Sequence, residues 1–191
     1  LTGYVFVLGG FDYKYADGVA PSTLDSVERF SLHENKWNPC SGMNEGRAFA
    51  GHCPIGEQFI YAFGGFHDYE VLSTIEKYDS VLDNWVTLYV KLPVGLAKLG
   101  IVATDIQRHV AIVGGMNPSF HRQKIVYLFD LKTFKFTTQS EMKTAKTFNG
   151  AVHFYDGMIY AIGGNDKDGC ERFDTYANKW ENLTSYADII Q

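Results

Sequence analysis

A glycine doublet recurs four times along the chain, at Gly9-Gly10, Gly64-Gly65, Gly114-Gly115 and Gly163-Gly164. The steps between doublets are 55, 50 and 49 residues. One Gly-Gly carries little information. Four in register impose an internal repeat, and a repeat of this period restricts the chain to a solenoid, a propeller or an array. Each doublet closes a short apolar run: Tyr4-Val5-Phe6-Val7-Leu8, Phe59-Ile60-Tyr61-Ala62-Phe63, His109-Val110-Ala111-Ile112-Val113 and Met158-Ile159-Tyr160-Ala161-Ile162. Runs of this length, ended by glycine and flanked by turn residues, read as strands buried on both faces.

Two further elements repeat with the doublets. Downstream come Val27-Glu28-Arg29-Phe30, Ile75-Glu76-Lys77-Tyr78, Val126-Tyr127-Leu128-Phe129 and Cys170-Glu171-Arg172-Phe173. From the residue after each closing aromatic, a second aromatic follows at a fixed six-residue step: Ser31 to Trp37, Asp79 to Trp85, Asp130 to Phe136, Asp174 to Trp180. Asn35, Asp83-Asn84 and Asn178 lie between, which reads as a hairpin. Upstream, Gly51, Gly100 and Gly150 stand 13 or 14 residues ahead of their doublets. The unit is therefore strand, turn, doublet strand, loop, Glu-aromatic strand, turn and Trp strand, four antiparallel strands per period.

This combination of double glycine, Tyr/Phe-Asp step and spaced Trp resembles the kelch family. The stretch from Val27-Glu28-Arg29-Phe30 through Trp37-Asn38-Pro39-Cys40-Ser41-Gly42-Met43-Asn44-Glu45-Gly46-Arg47 is similar to its BTB-kelch members. The resemblance implies an all-β fold, a β-propeller in which each repeat is one four-stranded blade around a central channel. About four blades are expected, near 1–42, 43–92, 93–141 and 142–191, the first lacking its innermost strand and the set belonging to a larger ring. The third unit departs most from the pattern. It carries Phe136 for Trp and Tyr127 for Glu, and lacks the basic residue that Arg47 and Lys146 supply before their strands.

Several function classes are disfavoured. A net charge of −5 with singly scattered basic residues does not provide the basic face that nucleic acid requires. No stretch approaches the roughly 20 apolar residues of a membrane span. The three cysteines, Cys40, Cys53 and Cys170, share no metal-type spacing and read as reduced thiols, which favours the cytoplasm. Six histidines occupy no equivalent repeat positions, so neither metal nor cofactor is expected. The first residue is Leu, which suggests a cut end.

Most motif residues are expected to be structural. Trp37, Trp85, Phe136 and Trp180 should pack blade against blade. Glu28, Glu76 and Glu171 should each make a hydrogen bond or ion pair within a blade, since repeats set them apart rather than pairing them for acid–base chemistry. Function should then lie in the loops after the doublets, which differ in length and chemistry, and in the links that lead from one blade to the next. The candidate partner-binding residues are Tyr13, Tyr15, Arg47, His67, Tyr69, Phe120, Arg122 and Lys146. The expected function is a non-enzymatic module that binds a protein partner, which the resemblance extends to a substrate receptor of a cullin-type ubiquitin ligase. A structural component of a cytoskeletal or ciliary assembly is the alternative, and a propeller enzyme the third reading. Further blades or a neighbouring chain are expected to complete the ring.

Overall fold

A computed structural model of the chain describes residues 1–12, 22–104, 108–147, 149–164 and 169–183, the side chains of 149–155 excepted. The secondary structure is β throughout these residues, in line with the repeat. Four antiparallel sheets follow one another along the sequence. Sheet 1 contains β1 (Tyr4–Asp12), β2 (Ser22–Ser31) and β3 (Lys36–Cys40). Sheet 2 contains β4 (Gly51–Ile55), β5 (Phe59–Phe63), β8 (Ile75–Asp79) and β9 (Asn84–Thr87), with a small ribbon of β6 (Phe66–His67) and β7 (Glu70–Val71) between β5 and β8. Sheet 3 is β10 (Gly100–Ala103), β11 (His109–Val113), β12 (Val126–Asp130) and β13 (Lys135–Thr138); sheet 4 is β14 (Asn149–Tyr155), β15 (Met158–Gly163), β16 (Cys170–Asp174) and β17 (Lys179–Leu183). The expected fifteen blade strands are present among the described residues, the first sheet having three. Only the two-residue strands of the ribbon are additional. The chain divides into two compact units, Leu1–Ala97 and Lys98–Gln191.

The six-residue step is a strand register. Phe30 lies opposite Trp37, Tyr78 opposite Trp85, Phe129 opposite Phe136 and Phe173 opposite Trp180. Their ring centroids are 4.7–5.3 Å apart. The hairpin between them is fixed at its first corner by Asp79, Asp130 and Asp174, each accepting two backbone N–H groups two and three residues on. Ser31 takes that place in the first sheet, accepting from the Glu34 N–H.

Each unit has its own core between two sheets. In the first unit Phe6, Leu8, Val27 and Cys40 of sheet 1 and Met43 of the following link pack on Ile60, Ala62, Tyr78 and Trp85 of sheet 2. In the second, Val102, Ala111, Val113, Val126 and Leu128 of sheet 3 and Met142 of its link pack on Ile159, Ala161, Phe173 and Trp180 of sheet 4. Trp85 donates its indole N–H to the Ser41 carbonyl and Trp180 to the Ser140 carbonyl, each at 2.9 Å, so both tie a sheet to the end of the one before it. Asp83 and Asn178 bind the backbone N–H of the same two serines. Tyr78 donates to Asp83 at 2.6 Å; burial and then this bond push its hydroxyl pKa up.

The expectation of blade-on-blade packing therefore holds for Trp85 and Trp180 and fails for Trp37, which is 46% exposed. The Trp37 ring lies against that of Phe30. Phe136 is half-buried against Phe129 and Tyr127.

The links stitch one sheet to the next in a repeated pattern. The second glycine of a doublet donates its N–H to a link carbonyl: Gly10 to Arg47, Gly65 to Leu96, Gly115 to Lys146, at 2.8–3.0 Å. The link residue returns its own N–H to Leu24, Leu72 or Gln123. At Gly9 and Gly64 a Cβ would lie 2.2 and 2.1 Å from the Arg47 and Leu96 carbonyl oxygens, and both backbones have positive φ. Only glycine satisfies both conditions. The doublet is thus the point where one sheet's backbone meets the link to its neighbour.

Candidate functional site

Two of the expected binding residues are interior. Arg47 is fully buried, donating to the Glu76 carboxylate at 2.5 Å and to the Gly64 carbonyl at 2.7 Å. Glu76, also fully buried, accepts the backbone N–H groups of Asn44 and Glu45 at 2.7 and 3.2 Å. Lys146 is equally buried, donating to the Gly169 carbonyl at 3.0 Å, with its ammonium 3.7 Å from Glu171. Glu171 accepts from the Lys143 and Thr144 N–H groups and from the Thr144 hydroxyl. Arg47 and Lys146 cannot offer their side chains to a partner; each clamps its link to the strand that follows. Such cations are rarely interior unless paired, and here each faces a buried carboxylate.

The departures of the third repeat then form a set. At the positions of Asn44, Arg47 and Glu76 it holds Pro93, Leu96 and Tyr127. Proline lacks the N–H that a carboxylate would accept, leucine lacks the charge, and tyrosine replaces the carboxylate. The acceptor, its cation and one of its two backbone donors disappear together.

The loop side of the first unit is built on the β6–β7 ribbon. Ala48 and Phe66 exchange backbone hydrogen bonds, at 3.0 and 2.7 Å, so link and loop run side by side, as expected from strand alternation. Phe11 meets Phe49 and Phe66 edge-on or tilted, with centroids 5.4 and 6.2 Å apart. His67 Nδ1 is 2.5 Å from the Thr23 hydroxyl and its Nε2 is 3.4 Å from Asp68, so the ring is held from both sides. At the tip, Asp68 and Tyr69 have φ of +43° and +70°. Positive φ suits a two-residue hairpin, but a bulky tyrosine there costs on the order of 1 kcal/mol. Tyr69 nonetheless stands at the tip, 75% exposed.

The second unit presents one comparable loop among the described residues. Met116 bridges to Arg122, and Asn117 accepts the N–H groups of Ser119 and His121 at 3.1 and 3.0 Å. Phe120 has φ of +60° and is 58% exposed; Arg122 is exposed beside it. Tyr13 and Tyr15 lie outside the described residues.

Sequence reasoning missed the aromatic group of Phe11, Phe49 and Phe66. Its signal was the phenylalanine directly after the first two doublets, absent after the third, where Met116 stands. It also missed His52, which lies opposite Ala62 on β4. Its Nε2 has no partner among the described residues. Enclosure by protein, and then the nearby Arg47 charge, lower its pKa to about 4. Among the described residues no three His, Cys, Asp or Glu side chains gather into a metal-binding group.

A family model of the kelch motif matches residues 1–44, 47–88 and 147–185. An F-box/kelch-repeat protein of Arabidopsis thaliana is 32% identical over 89 residues, covering 45% of this chain and 21% of the relative. Kelch-like protein 23 of Homo sapiens is 27% identical over 190 residues, 95% of this chain and 31% of the relative. Kelch-like protein 15 of Danio rerio is 25% identical over 211 aligned residues, 97% of this chain and 34% of the relative. The chain thus spans between a fifth and about a third of the length of these relatives.

Proposed function

The chain belongs to the kelch-repeat family, and on that footing we propose that it is a non-enzymatic, cytoplasmic module that holds a protein partner against the loops following its double glycines. The observation that carries this reading is Tyr69, an exposed aromatic kept at φ +70° on the tip of a braced ribbon. Aromatic anchors on a rigid support are the residues that dominate protein interfaces. An unfavourable backbone angle at such a residue is a recurrent mark of function. Phe120 repeats the arrangement in the second unit.

The finer assignment, a substrate receptor of a cullin-type ubiquitin ligase, rests on the likeness to Kelch-like proteins, with the loops contacting the substrate. Affinity capture with the wild-type chain, compared with Tyr69→Ala and Phe120→Ala, tests the face. His33→Ala, an exposed change in the β2–β3 turn, serves as the control. The reading expects a protein retained by wild type and control and lost from the two loop variants. Equal retention by all four chains overturns it. Recovery of a cullin together with the full-length protein from cell extract tests the ligase role separately, and its absence counts against that role.

A further inference from the structure

In the first unit, β6 lies across the outgoing end of β1 and the start of β2. Phe11 and Thr23 are cross-strand partners there, so their side chains share a face. Phe66 sets its ring 6.2 Å from that of Phe11, and His67 sets Nδ1 2.5 Å from the Thr23 hydroxyl. Phe49 closes the group from the link, its ring 5.4 Å from that of Phe11 and its surface 42% exposed. Tyr69, at the tip of the same ribbon, is still more exposed.

The fold does not require these rings. Two residues after Arg47 the link has Phe49 at φ +54°, and two residues after Leu96 the matching link has Lys98 at φ +56°. The same backbone conformation thus accepts a lysine. After the third doublet Met116 stands where Phe11 and Phe66 follow the first two. Aromatic rings that the backbone does not call for, left partly in water, mark a surface kept for contact.

Charge selects the occupant. Residues 10–12, 22–25, 44–50 and 65–73 make up this side of the unit, and they hold the carboxylates Asp12, Asp25, Glu45, Asp68 and Glu70. Their one arginine or lysine is Arg47, which is interior and already faces Glu76. Asp68 and Glu70, on either side of Tyr69, are both exposed. The described loop of the second unit differs, its Phe120 being followed by His121 and Arg122. An anionic segment would be repelled from the rings of the first unit, whereas a cation is drawn both to ring faces and to carboxylates. Arginine suits that combination better than lysine, because its planar head stacks on a ring while its edge donates to a carboxylate.

We propose that the loop side of the first unit takes an arginine-bearing peptide segment, its guanidinium stacked on the exposed ring of Phe49 or Tyr69 and paired with Asp68 or Glu70. The inference rests on the loops being the partner-binding face and adds the chemistry of what they hold. The probe is the peptide Gly-Arg-Gly-Arg-Gly, blocked at both ends and titrated into the full chain, with binding followed by amide chemical shifts. Shifts are expected at residues 47–50 and 66–71, smaller with lysine in place of arginine and absent with citrulline or glutamate. Asp68→Asn combined with Glu70→Gln should weaken binding about tenfold. Phe49→Lys should weaken it at least as much and leave the melting temperature nearly unchanged, since Lys98 holds that backbone angle in the next link. His33→Ala should bind as wild type does. The proposal is overturned if the probe at millimolar concentration shifts no amide of those segments, if the citrulline peptide binds as well, or if the carboxylate variant binds unchanged. The partner-binding reading fails by a different result, retention of the captured protein by Tyr69→Ala and Phe120→Ala. A captured protein lost from Tyr69→Ala yet fully held by the carboxylate variant would keep the loops as the partner face and overturn the assignment of arginine.

Discussion

The Arg47 guanidinium and the Glu76 carboxylate stand 2.5 Å apart, with neither side chain exposed. The same carboxylate gathers the N–H groups of Asn44 and Glu45, so one side chain fixes residues 44–47 of the link to the strand beyond it. A buried pair of this kind adds little net stability against an apolar substitute, yet loss of one partner strands the other.

Arg47→Met and Glu76→Gln are each expected to cost about 3–5 kcal/mol, measured by chemical denaturation. The combination Asn44→Pro, Arg47→Leu and Glu76→Tyr, which copies the third repeat, should recover much of that loss. Additive losses would show that the three positions are not a coupled set.

Trp85→Ala and Trp180→Ala should each cost about 3–5 kcal/mol, because a buried ring is removed and a carbonyl loses its indole donor. Trp37→Ala should cost about 1 kcal/mol or less in the same chain, since its ring is half in solvent. Similar losses at all three sites would contradict the placement of Trp37.

His52 gives a pH signature. Its folded pKa of about 4 lies below the ordinary histidine value of 6.5. Between those values the unfolded chain binds a proton that the folded chain refuses, so the stability tied to neutral His52 is present above pH 6.5 and is lost as the pH falls toward 4. The melting temperature should decline across this window, and His52→Gln should flatten that part of the curve. An unchanged slope in the variant would locate the acid sensitivity elsewhere.

Tyr69→Gly separates strain from binding. Glycine accepts φ of +70° without penalty, so relief of strain offsets its greater freedom when unfolded and the melting temperature should hold or rise slightly. Partner capture should fall as for Tyr69→Ala. A clearly lower melting temperature would mean that Tyr69 braces the ribbon rather than standing free of it.

The repeat frame was legible because glycine doublets and cross-strand aromatics are imposed by backbone geometry, which sequence spacing records directly. Asn35, Asp83 and Asn178 were readable as turn residues for the same reason, and all three have positive φ. In the sequence Arg47 and Lys146 look like surface groups, because isolated cations usually are. Only their joint appearance with Glu76 and Glu171, and their joint absence with Tyr127, encodes the interior pairing. Trp37 shows a different limit. Its local sequence matches that of Trp85 and Trp180, and its exposure depends on whether a neighbouring sheet lies against it. The β6–β7 ribbon left almost no pattern, being four paired residues around a turn that lacks glycine.

The link stitches also define where such a chain tolerates recombination. A junction at the end of a Trp strand divides Ser41 or Ser140 from the sheet it follows and parts a doublet from its carbonyl partner. The parted bonds run from backbone to backbone, so either parent can supply both ends. A junction in the loop beyond the second or fourth doublet instead separates Arg47 from Glu76 or Lys146 from Glu171. Shuffled blades exchanged at the ends of Trp strands would inherit matched Glu–Arg, Glu–Lys or Tyr–Leu sets, whereas exchange at the loops would mix them. The natural cassette is therefore a link together with the sheet it leads into, and the ends of the Trp strands are its seams.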